Sequence, residues 1–194
     1  MNISLTPATS SGLSDVDFDH LGFGQFFSDH MFSMIYENGQ WQEPQIVPFA
    51  PLPMHPANAG LHYGQSVFEG LKAYRGSDQA IRVFRPDMNA KRLEQSCRRM
   101  CIPTIDPNDF ITALDALVAL DAAWIPQQRG HALYIRPVVF SDEGHLAVRV
   151  SERFRCLIMT SPVRSLFDTT IKPISLVAEQ TYTRSAPGGV GFAK

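Results

Sequence analysis

Apolar and polar residues alternate along several short stretches of this chain and recur at helical spacing along two longer ones, a pattern that predicts an α+β fold. Residues 31–36 predict a strand, Asn38-Gly39 a tight turn, and 41–47 the returning strand. The four prolines within 48–58 predict an extended connection, since each lacks a donor and restricts the residue before it. Two more strands are expected at 70–75 and 81–85, around Gly76-Ser77-Asp78. Asp87 reads as the cap of a helix over 88–100. Asp106 caps a second helix with Pro107 in its first position, and Phe110, Ile111, Leu114, Leu117, Val118 and Trp124 line one face before Pro126 ends it.

The strand expected at 131–140 has period two, so Tyr134 and Arg136 share one face and Leu133 and Ile135 the other. A loop over 141–148 and an apolar strand over 154–160 follow, closed by Ser161-Pro162. Residues 163–172 are polar and lack strong periodicity, which suits a linker. New strand material begins at 174–178, and 185–191 form a glycine-rich loop leading into Phe192-Ala193-Lys194. The Ser/Thr-rich residues 1–14 are expected to be a flexible N-terminus.

The composition, 44% hydrophobic and 19% charged over 194 residues, suits one large domain or one domain with part of another. A net charge of -2 gives no basic surface for nucleic acid or anionic lipid. The charges are nevertheless uneven: no Lys or Arg precedes Lys72, whereas Asp15, Asp17, Asp19, Asp29, Glu37, Glu43 and Glu69 do. A start without basic residues is unlike a secretory signal or a mitochondrial presequence, and no apolar run is long enough for a membrane span, so a cytoplasmic protein is expected. Cys97, Cys101 and Cys156 are expected to be reduced thiols, with small-residue packing favoured over a metal site for the i,i+4 pair.

Residue by residue, the chemistry stays open. The glycines before Lys194 lack the Gly-Lys-Ser/Thr order of a nucleotide loop, and Lys194 taken alone reads as a surface lysine. Arg92 is either a solvated helix arginine or a phosphate clamp. Tyr134 and Arg136 either face water at a sheet edge or bind a carboxylate. Tyr63 and Phe68 read as core aromatics and His62 as a packing histidine. These signals amount to an α+β protein with a candidate anion site.

Together, the same segments resemble the branched-chain amino acid aminotransferases. The resemblance rests on Phe23-Gly24 through Ser28-Asp29-His30-Met31, on His62-Tyr63, and on Phe68-Glu69-Gly70-Leu71-Lys72-Ala73-Tyr74-Arg75-Gly76. It continues through Ile81-Arg82-Val83-Phe84-Arg85-Pro86, Arg92, Leu133-Tyr134-Ile135-Arg136-Pro137, Ser161-Pro162-Val163 and Gly188-Gly189-Val190-Gly191 before Lys194. It implies a two-domain, homodimeric, fold-type-IV enzyme that uses pyridoxal 5'-phosphate and moves the amino group of leucine, isoleucine or valine to 2-oxoglutarate. By the resemblance, Lys194 is the lysine that condenses with the cofactor aldehyde and Arg92 binds its phosphate. Tyr134 and Arg136 handle substrate carboxylates, Phe23, Tyr63 and Phe68 form apolar walls, and Leu146 and Val148 reach into the neighbouring subunit's pocket. No metal is implied.

The implied organisation is a small N-terminal α/β domain over 15–168, a linker over 169–174 and the start of a large cofactor-binding domain over 175–194. Leu166 departs from the tyrosine of some members, and Phe192-Ala193 also varies. A sequence that stops at Lys194 is expected to belong to a longer polypeptide, or to break at a modified lysine. The alternatives are a D-amino acid aminotransferase or an aminodeoxychorismate lyase of the same fold, or a non-catalytic fragment that serves in dimerisation.

Overall fold

A computed structural model describes residues 1–165 and 173–194. Leu166 and most of the expected linker lie outside the described residues. The strands are β1 (Ser4–Leu5), β2 (His30–Glu37), β3 (Gln40–Trp41), β4 (Gln45–Pro48), β5 (Ser66–Phe68), β6 (Leu71–Arg75), β7 (Ile81–Val83), β8 (Ala132–Ser141) and β9 (Phe154–Val163). The helices are α1 (Ala59–Tyr63), α2 (Pro86–Arg99) and α3 (Pro107–Leu120). The strands form one sheet in the order β1-β4-β2-β9-β8-β6-β7, with β3 on β2 and β5 on β8. Only the β1–β4 pair is parallel among the described strands.

The period-two pattern of β8 decides what each sheet face does. Leu133, Ile135 and Val139 are fully buried in a core shared with Phe32 of β2 and with Leu93, Phe110, Leu114 and Leu117 of helices α2 and α3. Tyr134 and Arg136 stand half-buried on the opposite face. The helix pattern of α3 is likewise realised, with Asp106 accepting from the Asn108 N–H at 2.8 Å at its start.

Several expectations need correction. The return strand after Asn38-Gly39 is broken into β3 and β4: from Tyr36↔Trp41 to Ser33↔Gln45 the chain advances three residues on β2 and four on its partner, a one-residue bulge at 42–44. Pro44, which has no N–H to give, lies within it. Residues 1–14 carry contacts that no local pattern announced: β1 pairs with β4, and Ala8 and Gly12 donate backbone N–H bonds to His30 Nε2 and Asp29. Helix α2 starts at Pro86, with Arg85 as its cap residue, so Asp87 sits in the first turn and bonds Arg85. Strand β9 runs through Ser161-Pro162 because both pair with β8.

The strand expected at 174–178 does not form. Ile174, Leu176 and Val177 are 72–94% exposed, and a lone strand without a neighbour leaves its backbone groups unpaired. Helix α1, hidden in the sequence by the prolines before it, is capped by Asn58 and ended by Gly64, whose φ of 64° suits a residue without a side chain. No helix among the described residues is long and apolar enough to cross a membrane.

Candidate active site

The site grows from an interruption between β5 and β6. Both strands pair with β8, but Glu69-Gly70 between them lie beside Pro137, which cannot return a backbone hydrogen bond. The Glu69 N–H still donates to the Pro137 carbonyl at 2.8 Å. The Glu69 carboxylate is fully buried and meets helix α2. Arg92 donates to it through Nε at 2.5 Å and Nη2 at 2.8 Å, and Asn89 Nδ2 at 2.8 Å. The Gly70 N–H adds a bond at 3.1 Å. Burial raises the pKa of this carboxyl, but Arg92, Asn89, the Gly70 N–H and the charge of Lys194 outweigh it, so Glu69 ionises below the ordinary carboxylate range.

Lys194 joins the same cluster from the end of the glycine-rich segment. Its Nζ lies 3.4 Å from Glu69 Oε2, and its main chain is held on both sides. The Lys194 N–H donates to the Oγ of buried Ser96, and its carbonyl accepts from the Phe68 N–H, both at 3.0 Å. Asn89, Arg92 and Ser96 recur at spacings of three and four on α2, so one helix face serves the whole cluster.

Phe68 connects this cluster to the second. Its ring lies 4.5 Å from the Arg136 guanidinium carbon and 5.5 Å from Lys194 Nζ, close enough for cation–π attraction to both. Arg136 donates through Nε and Nη2 to the Tyr134 hydroxyl at 3.1 and 2.9 Å. Phe23 packs on the Tyr134 ring at 5.0 Å. Phe23, Phe27, Tyr134, Arg136 and Met159 line a cavity of about 160 Å³. That is below the roughly 300–1,000 Å³ of a complete small-molecule pocket, so it can hold part of a ligand only. A cleft of about 720 Å³, lined by Tyr36, Glu37, Cys101 and 150–154, contains none of the candidate residues.

The structure therefore brings together Lys194, Arg92, Phe68, Tyr134, Arg136 and Phe23. Tyr63 stands in a separate group. Its hydroxyl donates to the Leu146 carbonyl at 2.6 Å, and the nearby Val148 is 93% exposed. Sequence reasoning missed Glu69, Asn89 and Ser96. The polar stripe at 89, 92 and 96 on an otherwise amphipathic helix is the signal that finds Asn89 and Ser96; nothing comparable marks Glu69.

The cluster also fits a phosphorylated aldehyde. Lys194 supplies a primary amine, and the Arg92 side chain is 48% exposed with no partner for Nη1 among the described residues. A guanidinium edge of that kind suits a phosphate oxygen.

No family model matches the sequence. The chain is 48% identical over 176 residues to branched-chain-amino-acid transaminase 1 of Bacillus subtilis (strain 168), covering 90% of this chain and 49% of that protein. It is 43% identical over 175 residues to the branched-chain-amino-acid aminotransferase of Mycolicibacterium smegmatis, covering 89% and 48%. The fold matches the branched-chain aminotransferase of Thermoproteus uzoniensis with a TM-score of 0.53 at 22% identity, over 69% of this chain and 41% of that one. It matches the Escherichia coli branched-chain amino acid aminotransferase at 0.51 and 24%, over 66% and 39%. The chain spans about half the length of the curated relatives it matches. In sequence and in its α+β fold, the chain is similar to the branched-chain aminotransferases over a stretch about half their length.

Proposed function

We propose that this chain carries the lysine side of a branched-chain aminotransferase active site, in a protein that moves the amino group of leucine, isoleucine or valine to 2-oxoglutarate. The observation that supports this most is the convergence of the Lys194 amine and the Arg92 guanidinium on one buried carboxylate, with Phe68 shared between Lys194 and Arg136.

Pyridoxal phosphate, when bound, supplies an aldehyde carbon that takes the amino group and a ring that accepts the electron pair freed at the substrate α-carbon. Lys194 would hold that group through its amine, and the same amine is placed to take a proton from the substrate α-carbon and pass it on. Arg92 holds the phosphate through its outward edge. Arg136 and Tyr134 receive a carboxylate, which lets one pocket take 2-oxoglutarate as well as an aliphatic side chain. Phe23 and Phe68 exclude water from the apolar part. Tyr63, Leu146 and Val148 act as a unit, because Tyr63 is bonded to the loop that carries the other two. We assign that unit to the pocket of a second subunit in a homodimer, which gives the exposed Val148 a place to bury. The chain is divided, in this reading, into a small domain over 15–168, a linker over 169–174 and the opening of a large cofactor-binding domain over 175–194. The free thiols of Cys97, Cys101 and Cys156 suit the reducing cytoplasm.

The test is Lys194→Met in the complete gene product. Amino exchange between leucine and 2-oxoglutarate should be abolished, and wild-type turnover with leucine should exceed that with D-alanine. Unimpaired exchange in the variant, or better use of D-alanine by the wild type, overturns the assignment.

A further inference from the structure

Glu69 is the most enclosed charge in the site, and neither its burial nor its partners follow from the roles assigned to Lys194 and Arg92. We propose that Glu69 is a positioning residue that holds the Arg92 guanidinium in place for a phosphate and sets a fixed negative charge beside the Lys194 amine. The proposal rests on the reading of Lys194 and Arg92 given above.

The geometry distinguishes this role from simple helix docking. To fasten α2 to the β5–β6 interruption, the bonds from Arg92 and Asn89 suffice. The same carboxylate also lies 3.4 Å from Lys194 Nζ, on a segment that belongs to neither element. A fully buried carboxylate loses its hydration and persists as an ion only when its oxygens are well supplied with donors. Here Oε2 faces Arg92, Asn89, the Gly70 N–H and Lys194 at once.

The charge arrangement has two consequences. Two cations share one carboxylate, so the cluster keeps a net positive charge, and Arg92 bonds Glu69 through Nε and Nη2, which leaves Nη1 for an anion. Arg92 is also fixed at two of its nitrogens before any ligand arrives, so less rotational freedom is lost on binding. At the other end, the same carboxylate sets a negative charge 3.4 Å from the Lys194 nitrogen.

The experiment follows the visible absorbance of the complete gene product, loaded with pyridoxal phosphate, as a function of pH. In Glu69→Gln the midpoint of the spectral transition should fall, because an opposite charge beside the bound chromophore is lost. In Glu69→Asp, whose carboxylate is one methylene further back, it should fall by less. A role confined to helix docking lowers the melting temperature but leaves the midpoint where it is. A midpoint equal to that of the wild type, in whichever variant folds, overturns the proposal. A wild-type protein with no visible band overturns the cofactor assignment at Lys194 itself and this proposal with it, so the two failures are told apart.

Discussion

The Tyr134 hydroxyl accepts two hydrogen bonds from the Arg136 guanidinium, at 3.1 and 2.9 Å, although the two residues stand two apart on one strand. The bond turns a flexible cation into a fixed one above the Phe68 ring. Arg136→Lys removes that fork, and a charge-assisted bond of this kind contributes about 1.5–3 kcal/mol. The KM for 2-oxoglutarate is expected to rise roughly ten- to a hundredfold. The KM for a branched 2-oxo acid, which lacks the second carboxylate, should change far less. Steady-state kinetics with both acceptors checks this.

Gly70 tests the same pair from behind. A methyl group placed there would lie 2.7 Å from the Tyr134 hydroxyl, closer than two such atoms can pack. In Gly70→Ala the phenol must shift and its bonds to Arg136 lengthen. The expected phenotype is a raised KM for 2-oxoglutarate, as argued for Arg136→Lys, with a melting temperature close to that of the wild type. A variant with unchanged acceptor kinetics would remove Tyr134 from the site.

Asp29 governs part of the acid stability. Burial works to raise its pKa, but bonds from Ser11 Oγ, Trp124 Nε1 and the Gly12 N–H prevail and hold it below the ordinary value of 3.8. A carboxyl depressed in the folded state contributes fully above its unfolded value and loses that contribution as pH falls through the folded one. Melting temperatures taken from neutral pH down past 3.8 should therefore drop more steeply in the wild type than in Asp29→Asn. Parallel curves would mean that this carboxylate does not couple folding to pH.

Asp106 caps α3, accepting from the N–H groups of Asn108 and Asp109 at 2.8 and 3.4 Å. Asp106→Ala should cost about 1 kcal/mol of stability. Leu117, fully buried where α3 meets the sheet, should cost about 2–5 kcal/mol when replaced by alanine. Urea titration of both variants checks the order. Neither residue contacts the site, so turnover per folded molecule should be unchanged.

The helices and the long strands were legible because burial has a period. The face of Leu133 and Ile135 followed from alternation, and that of Leu114 and Leu117 from helical spacing. Pairing was less legible. The bulge at 42–44 and the survival of Pro162 within β9 depend on what lies across the sheet, which no local pattern contains. Helix α1 was masked because its cap, Asn58, directly follows a proline-rich run. In the site, Lys194, Arg92 and the Tyr134–Arg136 pair were identified through the resemblance to a family, and their grouping then emerged in space. Glu69 was overlooked because a carboxylate between Phe68 and Gly70 carries no sign of its burial. Its partners Asn89 and Arg92 come from a helix about twenty residues away in sequence.

Pinning Lys194 by its own main chain, to Ser96 on one side and Phe68 on the other, has a consequence for variation. The amine's reach is measured from two anchors inside the α/β unit, not from the glycine-rich segment that leads to it. Residues 185–191 can therefore lengthen, shorten or change composition among related proteins while the nitrogen stays at the same place. Substitutions at Ser96, which meets Lys194 through its main chain, are the ones that would let it wander.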